Sequence, residues 1–149
     1  MQPVDKIDSV LKLKGGQIWS VAPTGTVYEA IEKMSAKGIG ALLVLAEGRL
    51  AGIISERDYA RKVILRDRSS KQTQVQEIMT SPVVTVTPQH SVEECMRMMT
   101  ENRVRHLPVL DRDRVVGIIS IGDLVNWIIS AHEETIGHLQ SYIAGNYPG

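Results

Sequence analysis

Displaced by 65 positions, this 149-residue sequence matches itself without a gap, Ile18 to Tyr59 falling on Val83 to Leu124. Pro23 meets Pro88, Val27 meets Val92, Glu29 meets Glu94 and Met34 meets Met99. Leu42-x-Val44-Leu45 meets Leu107-x-Val109-Leu110, and Gly52-Ile53-Ile54-Ser55-x-x-Asp58 meets Gly117-Ile118-Ile119-Ser120-x-x-Asp123. A third of the aligned positions are identical. A tandem duplication explains this, and two copies favour a closed pair over a solenoid, which needs three or more repeats to bury its core.

Each copy reads as strand, helix, strand, strand, helix. Val83–Val86 is a short β-branched strand stopped by Pro88. Ser91-x-x-Glu94 is a capping box, with Thr26-x-x-Glu29 as its twin. Behind these caps Val27, Ala30, Ile31 and Met34, and likewise Val92, Cys95, Met96 and Met99, recur at helical spacing. Two apolar runs around Glu47-Gly48, and two around Asp111–Arg114, read as buried hairpins. One such unit buries too little apolar surface to stand alone, whereas two packed about a pseudo-twofold axis cover each other. The expected organisation is an N-terminal extension 1–17, a first repeat 18–66, a polar linker 67–82, a second repeat 83–130 and a helical tail 131–149. The fold class is therefore α+β: two β-α-β-β-α repeats with helical extensions at both ends. In the tail Leu124, Ile128, Ile129, Ile136, Leu139 and Ile143 form an apolar stripe, which either folds back on the pair or zips with a partner chain.

Composition excludes several classes of function. Hydrophobic residues make up 43% of the chain, enough for an ordinary core and too many for wholesale disorder. Seventeen basic residues balance seventeen acidic ones, which argues against a protein whose main work is gripping nucleic-acid phosphates. No apolar run approaches the roughly 20 residues of a membrane helix, and the N-terminus has no apolar stretch of the signal-peptide kind. A single cysteine, Cys95, rules out an internal disulfide and fits a reducing cytoplasm. His132-Glu133 is followed by His138, six positions on, a spacing that cannot place two imidazoles on one helix face, so no metal site is expected. No nucleophile–base set is present, and no catalytic residues are assigned.

The paired Gly-Ile-Ile-Ser-x-x-Asp, the run Arg105-His106-Leu107-Pro108-Val109 and Glu77-Ile78-Met79-Thr80 resemble tandem CBS domains, the modules named after cystathionine β-synthase. The resemblance spans about Ile18 to Ile129, and Ser55–Lys62 with Ser69-Ser70-Lys71 is similar to small stand-alone CBS pairs. It implies clefts between the copies that bind an adenosine-containing ligand: AMP, ADP, ATP, S-adenosylmethionine or NAD(H). It further implies that Asp58 and Asp123 take the ribose diol, with Ser55 and Ser120 beside them. Ile53 and Ile118 form a wall for adenine. Ile39, Gly40, Ala41 and Val104 line the same clefts, while Ile18, Thr80 and Val83 close over the base.

The residues themselves leave a second reading open. Ser-x-x-Asp at a helix start is also a capping arrangement, and capping competes with ribose for the carboxylate. For phosphate, Arg57 in copy one and Arg103, Arg105 and His106 in copy two are the candidates; each arginine is either aimed at a ligand or solvated and paired with Glu56, Glu101 or Asp111. Copy one carries Gly38, Gly40 and Ala41 where copy two carries its charges, so equal occupancy of the two clefts is not expected. The function expected is a non-enzymatic regulatory module, a homodimer signalling to an unidentified effector protein. The alternative is a structural dimerisation module with vestigial clefts.

Overall fold

The computed structural model describes residues 5–131. The elements in chain order are α1 (Ile7–Lys14), β1 (Ser20–Val21), α2 (Val27–Lys37), β2 (Ala41–Ala46), β3 (Arg49–Ser55) and α3 (Glu56–Lys62), which runs on into a 3-10 turn at Ile64–Arg66. Then follow α4 (Val75–Ile78), α5 (Val92–Asn102), β4 (His106–Asp111), β5 (Arg114–Ser120) and a helix, α6, over residues 121–131. The expected α+β pair is what forms. Ile136, Leu139 and Ile143 of the expected stripe, together with His132 and His138, lie outside the described residues. No helix among the described residues is long and apolar enough to cross a membrane.

Local chemistry sets the element ends. The Ser91 hydroxyl accepts from the Glu94 amide while the Glu94 carboxylate accepts from the Ser91 amide, closing the expected capping box. At its twin only half of the exchange forms, the Thr26 hydroxyl accepting from the Glu29 amide at 3.1 Å. Both helices stop at a left-handed residue, Gly38 (φ 66°) and Arg103 (φ 55°), whose following amide returns to a carbonyl of the last turn. The hairpins turn on Glu47-Gly48 and Arg112-Asp113, all four with positive φ, the geometry that matches the strand twist.

The first strand of the second half is shorter than expected. In the first half the Leu43 amide donates to Trp19 and β1 pairs in parallel with β2. The aligned residue of the second half is Pro108, which has no amide proton. Residues 83–86 consequently make a single bridge, Val86 to Val109.

Each half has its own apolar core. Val27, Ala30, Met34, Leu42, Val44 and Ile54 gather in the first, and Val92, Cys95, Met99, Leu107, Val109 and Ile119 in the second. Neither core is complete without a segment that precedes the other repeat. Helix α1, at the start of the chain, inserts Ile7 and Val10 into the second core, whereas α4, from the linker, inserts Val75 and Ile78 into the first. The backbone repeats the exchange bond for bond. Val27 N–H donates to Thr73 and Val75 N–H to Gly25, and correspondingly Val92 N–H donates to Asp5 and Ile7 N–H to His90.

The exchanged segments reach the strands over two glycines. A Cβ built on Gly52 would lie 2.6 Å from Met79 Sδ and 3.0 Å from the Thr80 carbonyl, and one on Gly117 would lie 2.6 Å from Leu11 Cδ2. The first obstacle includes fixed backbone, the second only the end of a flexible side chain. Gly52→Ala is therefore expected to destabilise the protein by about 1–3 kcal/mol and Gly117→Ala by clearly less, as measured by urea unfolding. Equal costs would contradict this account of the exchange.

Candidate functional site

A cleft of about 470 Å³ opens where the two halves meet. One wall comes from the end of β3 and the start of α3, with Ile53, Ser55, Glu56, Arg57, Asp58 and Arg61, and Thr80 closes it from the linker. The facing wall is the turn after α5, Asn102 to His106. The left-handed stop at Arg103 is what swings this turn toward the first half. Gly40 lets the walls approach: a Cβ there would sit 3.1 Å from Glu56 Oε1 and 3.7 Å from His106 Cε1.

At the floor, Asp58 divides its two oxygens between two tasks. Oδ2 accepts from the Ser55 amide and hydroxyl, each at 3.0 Å, while the Ser55 hydroxyl accepts from the Asp58 amide, so α3 starts on a complete capping box. Oδ1 faces Thr80 Oγ1 at 3.3 Å and Lys62 Nζ at 3.1 Å. The cap thus uses one oxygen of the carboxylate, and the other is shared by Thr80 and Lys62.

Asp123 holds the same cap, with Oδ2 accepting from the Ser120 amide at 2.8 Å and the Ser120 hydroxyl accepting from the Asp123 amide. Its surroundings differ. Lys14, the last residue of α1, donates to Asp123 Oδ2 and to the Ile118 carbonyl, both at 2.7 Å. Burial pushes the Asp123 carboxyl up, but the Lys14 ammonium and the Ser120 donors outweigh it and hold the group below its ordinary value.

The structure brings together in one cleft Gly40, Ile53, Ser55, Arg57, Asp58, Thr80, Arg103, Val104, Arg105 and His106 of the residues singled out in the sequence. It places the others elsewhere. Ile39 lines a neighbouring hollow of about 300 Å³ beside α2, and Ala41 is buried in β2 opposite Ser55. Ile18 lies in a groove at the hairpin ends of the strands, Val83 sits half-buried before the Val86 bridge, Ile118 and Asp123 accept from Lys14, and Ser120 caps with Asp123. Arg61, Glu56 and Asn102 join the cleft unannounced. Arg61 could have been found, since it follows Arg57 by one helical turn and so shares its face.

The cleft is cationic. Among the described residues none of Arg57, Arg61, Arg103 and Arg105 has a carboxylate within 4.0 Å, so the expected pairing partners Glu56, Glu101 and Asp111 do not neutralise them. Among the described residues these four guanidinium groups make one hydrogen bond, a long one, Arg57 Nη1 donating to the Arg103 carbonyl at 3.4 Å. Guanidinium groups without partners are suited to phosphate oxygens. Cys95 takes no part: it is fully buried in the second core, and burial pushes its thiol up to about 12.

Comparison with known proteins gives the family and the fold. The family model described as CBS domain matches residues 16–65 and 75–130. The CBS domain-containing protein CBSX3, mitochondrial, of Arabidopsis thaliana is 42% identical over 151 residues, covering 95% of this chain and 73% of that protein. A crystal structure from Burkholderia ambifaria MC40-6, described as a signal-transduction protein with CBS domains, is 52% identical with a TM-score of 0.82, covering 84% of this chain and 94% of that one. The CBS domain pair of protein MJ0100, solved in complex with 5′-methylthioadenosine and S-adenosyl-L-methionine, shares the fold at a TM-score of 0.77 and 24% identity, covering 87% and 99% of the two chains.

His106 carries a pH consequence. Its burial, the Lys14 charge and the Arg105 charge lower the imidazole below its ordinary value, against a smaller opposite pull from Asp123. The unfolded chain therefore binds a proton at His106 before the folded one does. This contribution to stability is complete above about pH 6.5 and is lost as pH falls through the ordinary value toward the folded one. Urea unfolding between pH 7.5 and 5 is expected to show stability falling with acid, and His106→Gln to flatten that slope. An unchanged slope in the variant would remove the assignment.

Proposed function

The chain belongs to the CBS domain family, and from that premise we propose that it is a non-enzymatic sensor which takes an adenosine-bearing ligand in the cleft above Asp58. The observation that carries this reading is the Asp58 carboxylate, with Oδ1 not used by the cap, lining a 470 Å³ cleft together with four arginines that have no carboxylate within 4.0 Å among the described residues. That volume lies within the usual range for small-molecule sites, roughly 300–1,000 Å³. A ribose diol donates to Asp58 Oδ1, displacing Lys62 and turning the Thr80 hydroxyl toward the sugar. Adenine lies between Ile53 and Val104, aliphatic walls in a chain with no phenylalanine. Phosphate extends toward Arg57, Arg61, Arg103 and Arg105, with Ser55 and His106 beside it. AMP, ADP, ATP and NAD(H) all carry the required adenosine and phosphate, and the reading is supported by the MJ0100 pair, a neighbour in fold solved with two adenosine-bearing ligands.

Signalling follows from the cleft having one wall in each half. A ligand that bridges them favours one packing of the halves over another, and a differential of a few kcal/mol is enough to regulate a partner. We place the readout in a homodimer acting on a separate effector protein, in the cytoplasm or another reducing compartment.

The competing reading is a structural module with vestigial clefts. It draws on Lys62 and Thr80, which already satisfy Asp58, and predicts no thermal shift with any adenosine compound. Asp58→Asn separates the two, because asparagine can still accept the capping amide while losing the charge offered to the sugar. Loss of one charge-assisted bond is worth about 1.5–3 kcal/mol, so AMP or ATP affinity is expected to fall about 10- to 100-fold by calorimetry, with the melting temperature nearly unchanged. An affinity equal to wild type would remove the ribose role of Asp58.

A further inference from the structure

The ligand cleft lies at one end of the central strands, and a second cavity lies at the other. A groove of about 820 Å³ opens where the two hairpins come together. Its lining repeats the duplication: Leu45, Arg49 and Leu50 from the first half face Leu110, Arg114 and Val115, their equivalents in the second. The aliphatic residues form a partly buried floor, and Arg49, Arg112 and Arg114 stand exposed at the rim beside one acid, Asp113. Among the described residues none of these three guanidinium groups has a carboxylate within 4.0 Å. An apolar floor open to water marks a surface that gains from being covered. The rim requires that whatever covers it bring carboxylates, which guanidinium groups bind in charge-assisted pairs.

The chain delivers such a segment to this end of the molecule. Strand β5 runs from its hairpin turn to Ser120, which pairs with His106 at the cleft. Helix α6 starts there and runs back. By Trp127 it has reached the far end, where the indole donates to the Asp5 carboxylate at 3.2 Å and the Asp5 carbonyl accepts from the Val92 amide. Val92 begins α5, and the opposite end of α5 leads into the turn that walls the cleft. The described chain therefore leaves α6 toward the hairpin turns and away from the cleft.

Residues 132–149 follow. They carry two acids, Glu133 and Glu134, and no lysine or arginine, and they supply Ile136, Leu139 and Ile143 of the apolar stripe. This composition complements the groove: carboxylates for the rim and aliphatic side chains for the floor. Reach is sufficient, since residues 132–139 alone extend over up to about 26 Å, more than the roughly 23 Å covered by the seven residues of β5. A second copy docking groove to groove is a poorer match, because it would set one arginine rim against another.

We propose that residues 132–149 dock in the hairpin-end groove of their own chain, with Glu133 and Glu134 among Arg49, Arg112 and Arg114 and the aliphatic residues on the floor. The segment thereby ties the two halves together at the end opposite the ligand cleft. This docking is independent of the ribose role of Asp58.

Amide hydrogen exchange of residues 132–149, followed by mass spectrometry on the full chain, tests it in four forms: wild type, Arg49→Glu/Arg114→Glu, Glu133→Arg/Glu134→Arg, and the combination of both pairs. Exchange is expected to be slow in the wild type, at least tenfold faster in each charge-reversed pair, and slow again when the two pairs are combined. Arg49→Gln/Arg114→Gln, also expected to speed exchange, replaces the glutamate form if that does not fold. Fast exchange in the wild type overturns the inference. Equal protection in all four forms also overturns it, because the arginines then play no part. A combined form that stays fast removes the pairing of these charges. Wild-type protection that fades on dilution assigns the groove to the segment of a second copy and overturns docking within one chain.

Discussion

The exchange of short apolar segments between the halves is the contact on which the rest depends. A β-α-β-β-α unit leaves the edge of its core open. Here Val75 and Ile78 close the first core from the linker, and Ile7 and Val10 close the second from the start of the chain. The same segments run on over Gly52 and Gly117 and arrive beside the two Ser-x-x-Asp carboxylates. What completes the hydrophobic core therefore also supplies neighbours to each of the two carboxylates. Coupling between ligand and packing needs no separate device in such an arrangement, since a ligand that moves Thr80 or Lys62 pulls on residues continuous with the core.

Duplication supplied two equal scaffolds, and side chains made them unequal. Arg57 stands where the second copy has Gly122, and Arg103, Arg105 and His106 stand where the first has Gly38, Gly40 and Ala41. Because the halves face each other, these differences add rather than cancel: both sets converge on the Asp58 cleft. Glycine on one side makes room, and arginine on the other supplies charge. At Asp123 the charge comes from within the molecule, as Lys14.

Much of this was legible in the sequence. The ungapped displacement of 65 exposed the repeat, and helical spacing located Val27, Ala30 and Met34, and equally Val92, Cys95 and Met99, which are buried as the pattern requires. The exchange was not legible at that displacement. Ile7, Val10 and Leu11 match Val75, Ile78 and Met79 at a displacement of 68, because the connection into the second repeat is three residues shorter. An ungapped comparison passes over a match of that kind. The shortened strand near Val86 was hidden for another reason: β-branched residues report strand preference but not whether the partner, Pro108, has an amide to give. The sequence offered capping and ribose as rivals for the whole Asp58 carboxylate; that its two oxygens take different partners is visible only in three dimensions. Lys14 carried no signal, since its distance from Asp123 in the chain conceals a contact made only through the exchange.

The most direct test of the central claim is a crystal structure of the full chain grown with AMP. The account predicts nucleotide density between the halves, with the ribose hydroxyls within hydrogen-bond distance of Asp58 Oδ1, Lys62 displaced from that oxygen, and phosphate against the arginines of the facing walls. A cleft without nucleotide at saturating AMP, with Lys62 and Thr80 still on Asp58, would contradict it, as would AMP seated instead in the groove between the hairpin ends.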